Sequence, residues 1–245
     1  MLQFISTILS TLFLINRVLA QDLDQADGGP TYQPWSVFSP DKPVHQLGAK
    51  VLVVFHGFQS AVPNATYKSI RKLARDQYDV IGINYDYFKV DEQTANLEAL
   101  AAGPLTGREV AVFGTSLGGF WADWFARKIG AARLILVNPL MDPARQLQRY
   151  DGQTVVSERR ATKFSVTKGD LLRYASVHRI DRRPGQTLVV LTNGDERFDE
   201  TRQFFQGDPH VSVKIYDGGH HVDMRESPSL QDIGAFLRAD KTFSP

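Results

Sequence analysis

The sequence predicts an α/β protein, a mostly parallel β-sheet with helices on both faces. Short, unbroken apolar runs recur along the chain, and amphipathic helical segments alternate with them. A glycine-flanked serine also falls where one such run turns into a helix.

The alternation starts at Ala49. Val51 to Phe55 is a near-continuous apolar strand, and Ala65 to Arg75 is a helix with apolar positions at Tyr67, Ile70 and Leu73. Val80 to Asn84 reads as the next strand and Thr94 to Ala102 as the next helix. Val110 to Phe113 is a strand, and the apolar positions Leu117, Phe120, Trp121, Trp124, Phe125 and Ile129 recur at helical spacing, with Gly130 as a C-cap. Arg133 to Val137 and Thr187 to Leu191 are strands, Thr201 to Phe205 a short helix, Val211 to Tyr216 a strand, and Ser229 to Arg238 a closing helix. Residues 138–183 break the pattern. They are long, polar and charge-rich, with helical fragments at Pro143 to Tyr150 and Lys168 to Tyr174, and predict a lid-like insertion over the substrate site, the alternative being a surface decoration with no part in catalysis.

The chain has 245 residues, 42% of them hydrophobic, enough for one sizeable core, which residues 48–245 supply. A net charge of +1 gives no footprint for nucleic acid or an anionic membrane surface. With no cysteine, disulfides, a thiolate nucleophile and cysteine-ligated metal are excluded. Leu2 to Ile15 is apolar but too short to predict a stable membrane span, and Val18 and Ala20 sit where small residues precede a signal-peptidase cut. Residues 1–20 therefore read as a signal peptide, giving a periplasmic or secreted protein; an amphipathic N-terminal appendage or a misassigned start, on a cytoplasmic protein, is the alternative. Residues 21–47, with Gly28-Gly29-Pro30, Pro34, Pro40 and Pro43, read as a linker carrying one short edge strand, Trp35 to Phe38.

Gly114-Thr115-Ser116-Leu117-Gly118 fits G-x-S-x-G between a strand and a helix, the context that presents a serine nucleophile on a sharp turn. A serine hydroxyl needs a base to take its proton and an acid to orient that base. In open α/β sheets those partners follow the carboxyl ends of strands, in the order serine, acid, histidine. Asp195 lies just past the strand Thr187 to Leu191; Glu196 and Asp199 are rivals on the same loop, with Asp199 better placed to cap the following helix. His210 precedes the strand Val211 to Tyr216 and so falls at the wrong end. His220 and His221 follow that strand after Gly218-Gly219, and one of them is the expected base. The backbone N–H groups of Leu117 and Phe58 are the expected oxyanion donors, the second from the loop after Val51 to Phe55, with His56 fixing that loop.

The segments HGFQS (56–60), GTSLGGF (114–120), NPLMDP (138–143), NGDERFD (193–199) and GGHH (218–221) together resemble the small bacterial α/β-hydrolase esterases of the YqiA/YcfP type. The resemblance runs from about Lys50 to the C-terminal helix and implies the α/β-hydrolase fold. It implies Ser116 as nucleophile, Asp195 as acid and His221 rather than His220 as base, matching the last residue of a G-G-x-H turn. It further implies hydrolysis of small-molecule carboxylic esters through an acyl-enzyme, with neither metal nor cofactor. The leader and linker depart from the family, which is generally cytoplasmic. A thioesterase, lipase or peptidase would use the same residues. A non-catalytic binding protein on this fold is the alternative of another class, although such proteins usually lose the serine or histidine that this chain keeps.

Overall fold

A computed structural model describes residues 35–157, 162–177, 180–182, 184–225 and 227–239. The leader expected over residues 1–20, and the linker up to residue 34, lie outside the described residues. The main sheet has seven strands: β1 (Trp35–Phe38), β2 (Lys50–Phe55), β3 (Asp79–Tyr85), β4 (Glu109–Thr115), β5 (Arg133–Val137), β8 (Gln186–Thr192) and β9 (Val211–Tyr216). Their spatial order is β1-β3-β2-β4-β5-β8-β9, all parallel except β1, which runs antiparallel along β3 with Trp35 opposite Tyr85.

Continuous apolar strands are what a sheet covered on both faces requires, because successive side chains point to opposite sides. In β2, Val51, Val53 and Phe55 enter one core while Leu52 and Val54 enter the other. The same alternation divides Val110 and Val112 from Ala111 and Phe113 in β4, and Leu134 and Leu136 from Ile135 and Val137 in β5. The first core is closed by helices α2 (Val90–Ala102) and α3 (Leu117–Ile129), through Leu97, Leu100, Trp121 and Phe125. The second is closed by α1 (Ala65–Ala74) and α7 (Ser229–Arg238), through Tyr67, Ile70, Ile233 and Leu237.

Chain direction explains this division. From β2 the chain steps outward to β3, then returns past β2 to β4 and proceeds the other way through β5, β8 and β9. Right-handed crossovers in opposite directions place their helices on opposite faces, α1 on one and α2 and α3 on the other. The reversal also opens a crevice beyond the carboxyl ends of the adjacent strands β2 and β4, where sites form in such sheets.

Residues 138–183 contain more structure than their sequence suggests. After α4 (Pro143–Gln146) and a 3₁₀ turn (Gln148–Tyr150) comes an antiparallel hairpin of β6 (Thr154–Ser157) and β7 (Thr162–Ser165), followed by α5 (Lys168–Ser176). Val155 and Phe164 are directly paired and buried in the first core. α5 starts with a capping box of Thr167 and Asp170. The Tyr174 hydroxyl donates to the Tyr87 carbonyl, and Gln59 Nε2 donates to Val156 O at 3.3 Å, so the insertion is tied to the loops after β2 and β3. The helix α6 (Phe198–Phe205), which precedes β9, starts three residues before the Thr201 expected from sequence. Among the described residues no helix is long and apolar enough to cross a membrane.

Candidate active site

Ser116 is the single residue between β4 and α3, with φ 52° and ψ −125°. A side-chain-bearing residue at positive φ carries strain, and such strain persists only where its surroundings over-determine it. Here the backbone of Ser116 is held on both sides: its N–H donates to Val137 O at 3.0 Å, and its carbonyl accepts from Gly119 N at 2.8 Å and Leu140 N at 2.9 Å. The glycines are required by close approach. A Cβ on Gly114 would lie 2.5 Å from the Ala122 Cβ, and one on Gly118 would strike His56 O and sit 2.6 Å from Phe55 O. A serine at a helix N-cap ordinarily bonds the first-turn N–H groups. The Ser116 side chain makes no such bond; its Oγ lies 2.9 Å from His220 Nε2.

The histidine expectation is therefore corrected. Sequence resemblance selects His221, but the structure brings His220 to the serine and the acid. His220 Nδ1 lies 2.7 Å from Asp195 Oδ2 while Nε2 meets Ser116 Oγ, so one ring bridges both. His221 is exposed, its ring centroid 5.3 Å from that of His220. The cause is local. The carbonyls of Gly219 and His220 are bonded to the ends of β8 and β5, which fixes that backbone and turns the 220 side chain over the sheet edge. The next side chain then points to solvent.

Asp195 follows β8 as expected, its side chain nearly buried. Oδ1 accepts from the Arg197 backbone N–H at 3.1 Å and from Arg197 Nε and Nη2 at 3.2 Å each, which leaves Oδ2 to His220. Burial pushes the Asp195 carboxyl up, but the hydrogen bonds from His220 and the Arg197 N–H, with the charges of both residues, outweigh it and hold the group below the ordinary carboxylate range. An ionised Asp195 accepts from Nδ1–H, which leaves Nε2 free to accept the Ser116 hydroxyl. The acid and histidine loops are also stitched together, Gly194 N donating to Gly218 O at 2.8 Å. The rival acids go elsewhere: Glu196 is exposed and pairs with Arg149 at 3.2 Å, and Asp199 is exposed in the first turn of α6. His210 lies at the amino end of β9, where its carbonyl accepts from Thr187 N, as its sequence position implies.

The two expected oxyanion residues flank the crevice. Leu117 opens α3, where a helix leaves its first N–H groups without intrahelical partners. Phe58 is on the loop after β2, and that loop lies against the serine: a Cβ on Gly57 would be 3.2 Å from the Ser116 Cβ. His56 is buried beneath, stacked on Tyr85 with ring centroids 4.5 Å apart, and its Nδ1 is 2.8 Å from Gly57 O. Three nearby residues were not foreseen from sequence: Arg197, Asn138 and Thr192. The signals for Asn138 were its place between a strand end and Pro139, a turn dipeptide, and its position at the head of the NPLMDP segment. Among the described residues no group of three or more His, Cys, Asp or Glu side chains is placed to hold a metal ion.

Together, the sheet order, the crossover geometry and the serine turn define an α/β-hydrolase fold, and solved structures share it. Est1E from Butyrivibrio proteoclasticus superposes with a TM-score of 0.58 at 14% identity, covering 83% of this chain and 90% of that one. A monoacylglycerol lipase from Paleococcus ferrophilus gives 0.58 at 14% identity over 83% and 97% of the two chains. FphF, a fluorophosphonate-binding serine hydrolase of Staphylococcus aureus, gives 0.53 at 18% identity over 85% and 96%. No curated protein matches the sequence. The chain belongs to the uncharacterised protein family UPF0227, whose model matches residues 51–238; this is the YqiA/YcfP esterase family that its motifs resemble.

Proposed function

We propose that this protein is a serine hydrolase of carboxylic esters, working through Ser116, His220 and Asp195. The observation that carries the reading is the single imidazole ring bonded at once to the Ser116 hydroxyl and the Asp195 carboxylate. In the proposed reaction Ser116 Oγ attacks the ester carbonyl carbon while its proton passes to His220 Nε2. The developing oxyanion is met by the Leu117 and Phe58 N–H groups, each such donor being worth about 2.7–4 kcal/mol of barrier. Collapse breaks the C–O bond to the alcohol, which leaves with the proton from His220, and an acyl-serine remains. Water then gives a proton to Nε2 as its oxygen attacks the acyl carbon, and collapse returns the proton to Ser116 and releases the acid. Asp195 holds the Nδ1–H tautomer and stabilises the imidazolium, and Arg197 keeps Asp195 oriented. Tyr150 of the insertion lies against Phe58, ring centroids 5.1 Å apart, and in this reading the insertion sets which acyl groups enter.

The test is hydrolysis of p-nitrophenyl esters of graded acyl length. The expected result is steady release of p-nitrophenolate by the wild type, lost in Ser116→Ala. No hydrolysis anywhere in the series, or equal rates in the variant, would overturn the reading.

A further inference from the structure

Asn138 is buried and adopts φ 40°, a left-handed conformation that asparagine tolerates better than most residues. Its side chain bonds to neither Ser116 nor Asp195, yet it joins three strand ends. From the end of β5, its Oδ1 accepts from Thr192 N at 2.9 Å, at the end of β8. Its Nδ2 donates to His220 O at 3.1 Å, beyond the end of β9, and to Thr192 Oγ1 at 2.8 Å, with Gly219 O at the limit of 3.5 Å. The Thr192 hydroxyl in turn donates to Gly219 O at 2.8 Å.

The partners dictate the residue type. A backbone N–H can only donate and a backbone carbonyl can only accept, so the group between Thr192 N and His220 O must accept at one end and donate at the other. A carboxamide of this length does both. A carboxylate would set an oxygen against the His220 carbonyl, and an aliphatic chain would leave the buried Thr192 N–H and the partly buried His220 carbonyl without this partner. The side chain is satisfied only when the 219–220 backbone lies where the His220 ring spans from Asp195 to Ser116.

We propose that Asn138, with Thr192 as its relay, is a positioning residue that sets the His220 imidazole for proton transfer. It acts through the His220 main chain and contacts no reacting atom. The proposal rests on the assignment of Ser116 and His220 under Proposed function, and it predicts a loss in the chemical step. Displacing a catalytic group by about 1 Å costs on the order of 100-fold.

The test compares wild type, Asn138→Asp and Thr192→Val, with active sites counted by fluorophosphonate labelling taken to completion and kcat expressed per titrated site. Asn138→Asp keeps the acceptor to Thr192 N and loses the donor to His220 O. We expect its kcat per site to fall about 10- to 100-fold with KM changed less than about threefold. Thr192→Val, nearly isosteric, removes only the hydroxyl relay, and its kcat per site should fall several-fold. A purely structural role would lower the melting temperature and the fraction of titratable sites, and leave kcat per site alone. The proposal is overturned if kcat per site stays within twofold of wild type in both variants, or in Thr192→Val alone should Asn138→Asp not fold. A wild type that hydrolyses none of the esters overturns the hydrolase reading, and this proposal with it; wild-type hydrolysis with unchanged variants overturns this proposal alone.

Discussion

Replacing His220 with glutamine should lower kcat for ester hydrolysis by about 10⁴-fold or more, whereas the same change at His221 should leave it within a few-fold. The two residues are adjacent and both follow the same glycine pair, so composition and chain order treat them alike. Geometry does not. His220 Nε2 is 2.9 Å from Ser116 Oγ and its Nδ1 is 2.7 Å from Asp195 Oδ2, while His221 is exposed. Glutamine at 220 can still form hydrogen bonds, but it cannot carry the proton from the nucleophile to the leaving group. A 10⁴-fold loss corresponds to about 5.4 kcal/mol of barrier. Steady-state kinetics of the two variants separate them directly: equal losses, or a larger loss in His221→Gln, would reverse the assignment.

The second large effect is on folding of the serine turn. Gly118→Ala should destabilise the protein by about 3 kcal/mol or more, at the upper end of what overpacking costs. The new Cβ would meet His56 O, Phe55 O at 2.6 Å and the Phe55 carbonyl carbon at 2.8 Å, all backbone atoms of the central strand or its end, so no side-chain rotation relieves it. The melting temperature should drop by roughly 6–12 °C, at about 2–4 °C per kcal/mol for a domain of this size. Gly169→Ala, on the exposed helix α5, is the control. Its Cβ would meet only the Thr167 hydroxyl, at 3.6 Å, and the stronger helix propensity of alanine should leave stability unchanged or raise it by up to about 1 kcal/mol. Thermal unfolding of both variants reads the contrast, and a Gly118→Ala protein that melts with the wild type would show that α3 can shift away from β2.

Much of this architecture was legible because burial on both faces leaves a plain mark in sequence. Inside their end residues, β2, β4 and β5 had to be apolar to feed two cores, and their runs stand out from the polar connections. The serine turn was legible for a steric reason, since Gly114 and Gly118 occupy positions where any Cβ collides. Asp195 could be found because β8 ends three residues before it, in line with the other strand ends. The choice between His220 and His221 lay beyond one-dimensional reasoning. Which of two consecutive side chains faces the crevice depends on how their backbone is tethered, and the tethers are Asn138 and Thr192, 82 and 28 positions earlier than His220. The β6–β7 hairpin was hidden for a related reason. Each strand has four residues in a charged segment, and the pairing of Val155 with Phe164 gains its burial only from the core beneath it.

In the proposed mechanism Ser116 is a nucleophile activated by His220. The most direct measurement of that activation is covalent labelling by a fluorophosphonate, read as a mass increase on the peptide that contains Ser116. Wild type and His221→Gln should be labelled stoichiometrically, His220→Gln slower by orders of magnitude, and Ser116→Ala not at all. A wild-type protein that stays unlabelled, or a label carried by any residue other than Ser116, would contradict this mechanism.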